Sequence, residues 1–181
     1  MHRLFVFAVV VSLCGGFAYP QQEVQPSLET RLLLDGLVEM LVPTAFQPMP
    51  EEILKLKYPM ERRPTLVLSN DSGSVSLALN HTRDRIPGND LAEAHRVFDG
   101  MFRKLYPSAE WFRSGLESLN GRQFVVIELR TPAIDTEIRN LMTATVADER
   151  LLLISFNVTL ELEGEWVELA DRMIRSIVVK K

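Results

Sequence analysis

Thiol is nearly missing from this chain: Cys14 is the one cysteine in 181 residues. No intrachain disulfide can form, and thiolate catalysis or thiolate-bound zinc would rest on that single residue. Histidine is scarce too, with His2, His81 and His95, so a metal centre would need carboxylates for most of its ligands. Neither sign of charge dominates. The 24 acidic and 20 basic side chains leave a formal charge of −4, which gives no general attraction to phosphate backbones or anionic lipid and argues against a nucleic-acid partner. Glycine-rich phosphate cradles are missing, as is the G-x-S-x-G turn that presents a nucleophilic serine. The longest apolar run, Leu4 to Leu13, covers about 15 Å as a helix, half the hydrocarbon thickness of a bilayer, so no transmembrane span is expected. What is present, 46% apolar and 24% charged residues, is the composition of one globular domain large enough to bury a core without staples.

The N-terminus reads as an address. Arg3 precedes the apolar run, which only Ser12 interrupts, and the small residues Gly15, Gly16 and Ala18 follow. This is the pattern of a secretory signal peptide over residues 1–18, cleaved before Tyr19, and it places the mature protein in the periplasm or outside the cell. Val11-Ser12-Leu13-Cys14 is also a partial match to a lipoprotein signal, in which Cys14 would carry a lipid anchor, although the large Leu13 fits that pattern badly. Residues 19–30 (YPQQEVQPSLET) hold few apolar anchors and read as a flexible leader. A single domain over residues 31–181 follows.

Within it, hairpin signals recur. Arg31–Leu34 and Leu37–Val42 flank Asp35-Gly36; Thr65–Ser69 and Val75–His81 flank Asn70-Asp71-Ser72-Gly73. Glu110–Ser118 and Arg122–Thr131 flank Asn120-Gly121, and Glu137–Val146 and Leu151–Leu160 flank Asp148-Glu149. Four hairpins in succession imply an antiparallel sheet. In Leu151–Leu160 the apolar side chains alternate, whereas Phe124 to Leu129 is apolar on both faces, which predicts helices on more than one side. Three helices are available. Pro50–Lys57 is short. Asp90–Tyr106 opens with the cap-like Asp90-x-x-Glu93 and carries the stripe Leu91, Ala94, Phe98, Met101, Phe102 and Leu105. Glu163–Ile177 carries Trp166, Leu169, Ala170, Met173, Ile174 and Ile177. The expected fold is α+β: an α/β/α sandwich with a central antiparallel sheet of hairpins and a meander, and helices on its faces.

This order of elements resembles the α/β/α sandwich superfamily of PsbP, DcrB and the Mog-type nuclear-import factors. The residues that carry the likeness are Phe46-Gln47-Pro48-Met49-Pro50, the strand–turn–strand from Arg63 to Leu77, the turn Asn120-Gly121-Arg122-x-Phe124, and the closing helix with Trp166. The resemblance implies a scaffold for binding and assembly in an exported bacterial member. It carries over no functional residue.

The candidate chemistry is sparse. His81 and His95 read as structural or solvated, and no cofactor or metal site is expected, although Asp135 and Glu137 with the oxygens of Thr131, Thr136 and Asn140 form a set that a weak calcium ion would accept. Glu128 and Arg130 share a strand face and could pair with each other in a cleft, while cross-strand ion pairing explains them as simply. Three N-x-S/T triplets, at Asn70, Asn80 and Asn157, are glycan acceptors only in a eukaryotic source. The segment Pro43–Pro64 holds five prolines and more apolar side chains than one short helix needs, so a partner-binding rim of Phe46, Met49, Tyr58 and Met60 is expected between it and the helix Asp90–Tyr106. The leading functional expectation is a noncatalytic exported or envelope protein that binds a protein or peptide, as an adaptor, assembly factor or immunity-type protein. The alternative is an acid- or metal-dependent envelope hydrolase using Asp and Glu.

Overall fold

The computed structural model describes residues 26–60, 62–85 and 90–180. The signal segment, Cys14 and the leader up to residue 25 lie outside the described residues. The elements run β1 (Leu28–Leu33), β2 (Val38–Pro43), β3 (Gln47–Pro48), α1 (Glu51–Lys57), β4 (Leu66–Ser69), β5 (Val75–Arg85), α2 (Leu91–Leu105), β6 (Glu110–Leu119), β7 (Arg122–Pro132), β8 (Glu137–Ala147) and β9 (Arg150–Thr159). A 3-10 turn at Leu160–Leu162 then leads into α3 (Glu163–Arg175) and β10 (Val178–Val179). This is the expected α+β sandwich. Among the described residues, no helix is long and apolar enough to cross a membrane.

Seven strands form the large sheet in the order β3-β4-β5-β9-β8-β7-β6, with every pairing antiparallel. The turns that set its register use left-handed backbone. Asn120 and Gly121 have φ +48° and +79°, and Asp148 and Glu149 have +48° and +60°, the two-residue geometry whose twist matches the flanking strands. The first hairpin departs from expectation in two ways. Its strands meet through four residues, Leu34 to Leu37, with Leu33 opposite Val38, and β1 begins at Leu28, three residues before the expected domain start. It also leaves the large sheet, forming a three-stranded sheet β1-β2-β10 with the last described strand. A two-residue strand has no alternation to read, so β10 left no trace in the sequence pattern.

The two faces of the large sheet bury different partners. On one, α3 and the small sheet enclose the main core. Phe46, Phe156 and Trp166 stack there with ring centroids 5.5 and 6.0 Å apart, and the predicted stripe of α3 is buried as read. On the other, α2 packs on Val125, Ile127 and Leu129, and α1 packs on Met49, Val67 and Ala78. Asp90 caps α2 by accepting the Glu93 amide at 2.9 Å. The Glu93 carboxylate turns to Arg96 instead, so the reciprocal half of the capping box does not form. Helix α2 covers less than its stripe predicts: Leu91 is buried, but Met101 and Leu105 stand 40% and 60% exposed.

Candidate functional site

The residues expected to form a rim are separated by the fold. Strand β3 pairs with β4 at the sheet edge, Gln47 opposite Ser69 and Pro48 opposite Leu68. Phe46 and Met49 flank that short strand and turn to opposite sides. Phe46 is fully buried against Trp166, and Met49 is buried under α1. Neither can meet a partner on a rim. Tyr58 is half-buried on the α1 cluster, and Met60 is exposed. The apolar excess of Pro43–Pro64 is therefore largely absorbed by two cores, one on each face.

The acidic side chains are absorbed in a similar way. Glu128 does not pair with Arg130. Its Oε2 accepts Arg113 Nε at 2.6 Å, and its Oε1 accepts Arg139 Nη2 at 2.7 Å. Glu163 accepts both Arg139 and Arg130, at 3.0 and 2.8 Å, and Arg130 also reaches Glu110 at 2.6 Å. Phe112, at a bulge in β6, lies under Arg139 with the guanidinium carbon 3.0 Å from its ring centroid. Arg113 also reaches Asp171 at 2.9 Å. Burial opposes the charge of Arg113, but Glu128 and Asp171 outweigh it and hold its pKa above the ordinary guanidinium value. This chain of charges ties β6, β7 and β8 to α3. Every carboxylate in it is bonded to a guanidinium, an arrangement that clamps elements together and leaves no free acid–base pair.

Sequence reasoning missed a meeting of serine, histidine and aspartate. His95 Nε2 lies 2.8 Å from Ser114 Oγ, and Ser114 Oγ donates to Asp99 Oδ1 at 2.7 Å. The order is wrong for a hydrolytic triad, in which histidine stands between the other two and takes the serine proton. Here serine is central and its proton points at Asp99. The hydrogen bond from Arg103 holds the Asp99 carboxyl below its usual range, which makes it a poor base. His81 is held at both nitrogens, Nε2 by the Ala147 carbonyl and Nδ1 by Arg150, each at 3.0 Å. In the supposed calcium set, Asn140 turns its amide nitrogen to Thr131 and Thr136 donates to Glu161. No group of three His, Cys, Asp or Glu residues able to hold a metal ion occurs among the described residues.

The open surface lies on the α2 side of the large sheet. Because α2 sits over β6 and β7, strands β8 and β9 are left half-covered there. A cavity of about 150 Å³ opens between Phe98, Met101 and Phe102 of α2 and a floor that includes Ile127, Met142 and Leu153. Beside it, Val97, Met101 and Leu105 follow one another at every fourth residue along α2 and are 54%, 40% and 60% exposed. Such spacing puts all three on one line of the helix. Farther along the same side, a polar cleft of about 580 Å³ is lined by Arg62, Arg63, Thr65, Asn80, His81, Thr82 and Arg83. The cavity and stripe were half-legible: Met101 and Leu105 were read as apolar stripe, but their exposure depends on how far α2 reaches across the sheet.

No protein-family profile matches the sequence, and no curated protein matches it. Solved structures do match in fold. A cyanobacterial PsbP (CyanoP) from Synechocystis aligns over 92% of this chain and 97% of its own, with TM-score 0.59 and 15% identity. The Ran-binding protein Mog1p of Saccharomyces cerevisiae aligns over 85% and 96%, with TM-score 0.56 and 13% identity. LpqN of Mycobacterium tuberculosis, described as involved in cell envelope biogenesis, aligns over 86% and 91%, with TM-score 0.56 and 10% identity. The chain has the PsbP/Mog1-like fold, in agreement with the superfamily resemblance read from its sequence.

Proposed function

We propose that this is a noncatalytic exported protein of the bacterial envelope that binds a protein or peptide partner, and that the partner docks on the α2 side of the large sheet. The observation that carries the reading is the uncovered line Val97, Met101 and Leu105 beside an apolar cavity. Scattered apolar residues on a surface need no explanation, whereas a contiguous line beside a cavity is characteristic of an interaction site. The leader pattern of residues 1–18 supports export. Two proteins of similar fold point the same way by analogy: Mog1p is a Ran-binding protein, and LpqN is involved in cell envelope biogenesis. The hydrolase alternative loses ground to the arginine-saturated carboxylates and the misordered serine, histidine and aspartate.

The test compares the protein with its Val97→Asp/Leu105→Asp variant as bait in envelope extract from the source organism. Both positions are more than half exposed, so the melting temperature should change little. The expected result is one stoichiometric protein retained by the wild type and lost by the variant. Equal retention by both, or recovery of bait alone, overturns the proposal.

A further inference from the structure

The apolar cavity and the polar cleft adjoin across β5 and β9. Leu153 in the cavity floor is the cross-strand partner of Asn80 in the cleft, and directly paired residues share a face of the sheet. The cleft is cationic, and its described lining residues include no carboxylate. Arg63 is fixed there by the Tyr58 carbonyl at 3.0 Å and Glu51 at 3.1 Å. Arg62 and Arg83 have neither an ion pair nor a hydrogen bond among the described residues. The remaining described arginines apart from Arg172 each have one or the other, as in the pairs Arg31–Glu29, Arg85–Glu149 and Arg103–Asp99 and the bond from Arg122 to the Val146 carbonyl. In a chain of net charge −4, two of the three arginines unpartnered among the described residues thus line one cleft beside an apolar hole.

Size decides between the anionic ligands that would fit. A cavity near 150 Å³ takes a benzene-sized group, which is room for one apolar side chain and too little for a lipid tail. Strands spaced ~4.8 Å apart place the cleft two or three strands from the middle of the cavity, about 10–15 Å. An extended peptide covers that distance in about three to five residues. We propose that the cleft of Arg62, Arg63 and Arg83 is the acidic subsite of the docking face, binding carboxylates of a partner segment whose large apolar side chain enters the cavity under α2. The proposal rests on the docking reading above and gives it a partner chemistry: an acidic segment with one Phe, Leu, Trp or Met anchor about three to five residues from its Asp or Glu cluster.

The experiment selects binders of the purified protein from a random displayed peptide library, then measures a fluorescein-labelled winner by anisotropy. The expected winners carry the anchor and the acidic cluster at that spacing. Their affinity should fall at least tenfold on Arg62→Glu/Arg83→Glu and weaken with rising salt. A peptide with Lys in place of its acids should bind that variant better than it binds the wild type. Winners indifferent to the arginine substitutions but lost on Val97→Asp/Leu105→Asp would overturn the acidic subsite and leave the docking face standing. Failure to enrich any peptide sensitive to either double variant would overturn both. Saturable binding of dodecyl phosphate that outcompetes every selected peptide would assign the cavity to a lipid and overturn the proposal.

Discussion

Glu128 lies in the sheet beneath α3 with its side chain 9% exposed, between two guanidinium groups. Removing one member of such a buried set leaves the others charged and uncompensated, which costs far more than the intact set contributes. Glu128→Gln should therefore destabilise the fold by about 3 kcal/mol or more, read as a drop in the midpoint of urea unfolding. Replacing Glu128 and Arg139 together by leucines should recover much of the loss. At the opposite pole is Glu149, an exposed residue with φ +60° whose contact is a surface pair with Arg85. Left-handed backbone strains a side chain with a Cβ, and an exposed ion pair repays little. Glu149→Gly should raise stability by about 0.5–1 kcal/mol in the same assay.

At the scale of elements, α1 shows how a short helix is retained. Seven residues are too few for independent stability in water, and none of them is fully buried. Besides its packing on Met49, Val67 and Ala78, it is anchored to the turn between β4 and β5: Lys57 donates from Nζ to the Gly73 carbonyl, and Ile53 packs where a Gly73 side chain would stand. A Cβ there would meet Ile53 Cγ2 at 2.9 Å with φ at +73°. Gly73→Ala should detach α1, seen as early hydrogen exchange of its amides while those of β7 and β8 stay protected. The long elements were legible in the sequence because each is long enough to show its pattern: β9 by alternation, β7 by apolar residues on both faces, α3 by a buried stripe, β6–β7 by Asn120-Gly121. The binding surface was legible only in part. A stripe reveals which side of α2 is apolar, but how much of it the sheet covers is decided by packing. Phe46 and Met49 were misplaced because a two-residue strand, β3, turns them to opposite cores. That Arg62 and Arg83 line one cleft left no signal in the sequence, because Arg83 lies at the irregular end of β5.

For the whole molecule, acid is the informative variable. Burial raises the Asp171 pKa, but hydrogen bonds from Arg175 and Arg113 outweigh it and the net direction is down. Asp99 is lowered, chiefly by Arg103, and Glu51 is lowered, chiefly by Arg63. A carboxyl whose folded pKa lies below its unfolded value stabilises the fold above the unfolded value, near 4, and loses that contribution as pH falls through the folded value. The melting temperature should accordingly be insensitive to these groups between about pH 7 and 5, and should decline from about pH 4 downward. The same decline should shrink in Asp171→Asn, measured against its own neutral-pH value.

The small sheet joins the two ends of the described chain. Val178 and Val179 lie beside Glu39 and Val38, the Lys180 amide bonds to the Leu37 carbonyl, and its side chain reaches Glu39. The first hairpin of the described chain is thus completed by its last strand, a contact of long sequence separation and slow to form. The small sheet therefore closes only once β10 is free to dock beside β2. Deleting residues 178–181 should leave the large sheet cooperative but expose the amides of β2 to exchange, giving a protein closed on one side and unlatched on the other.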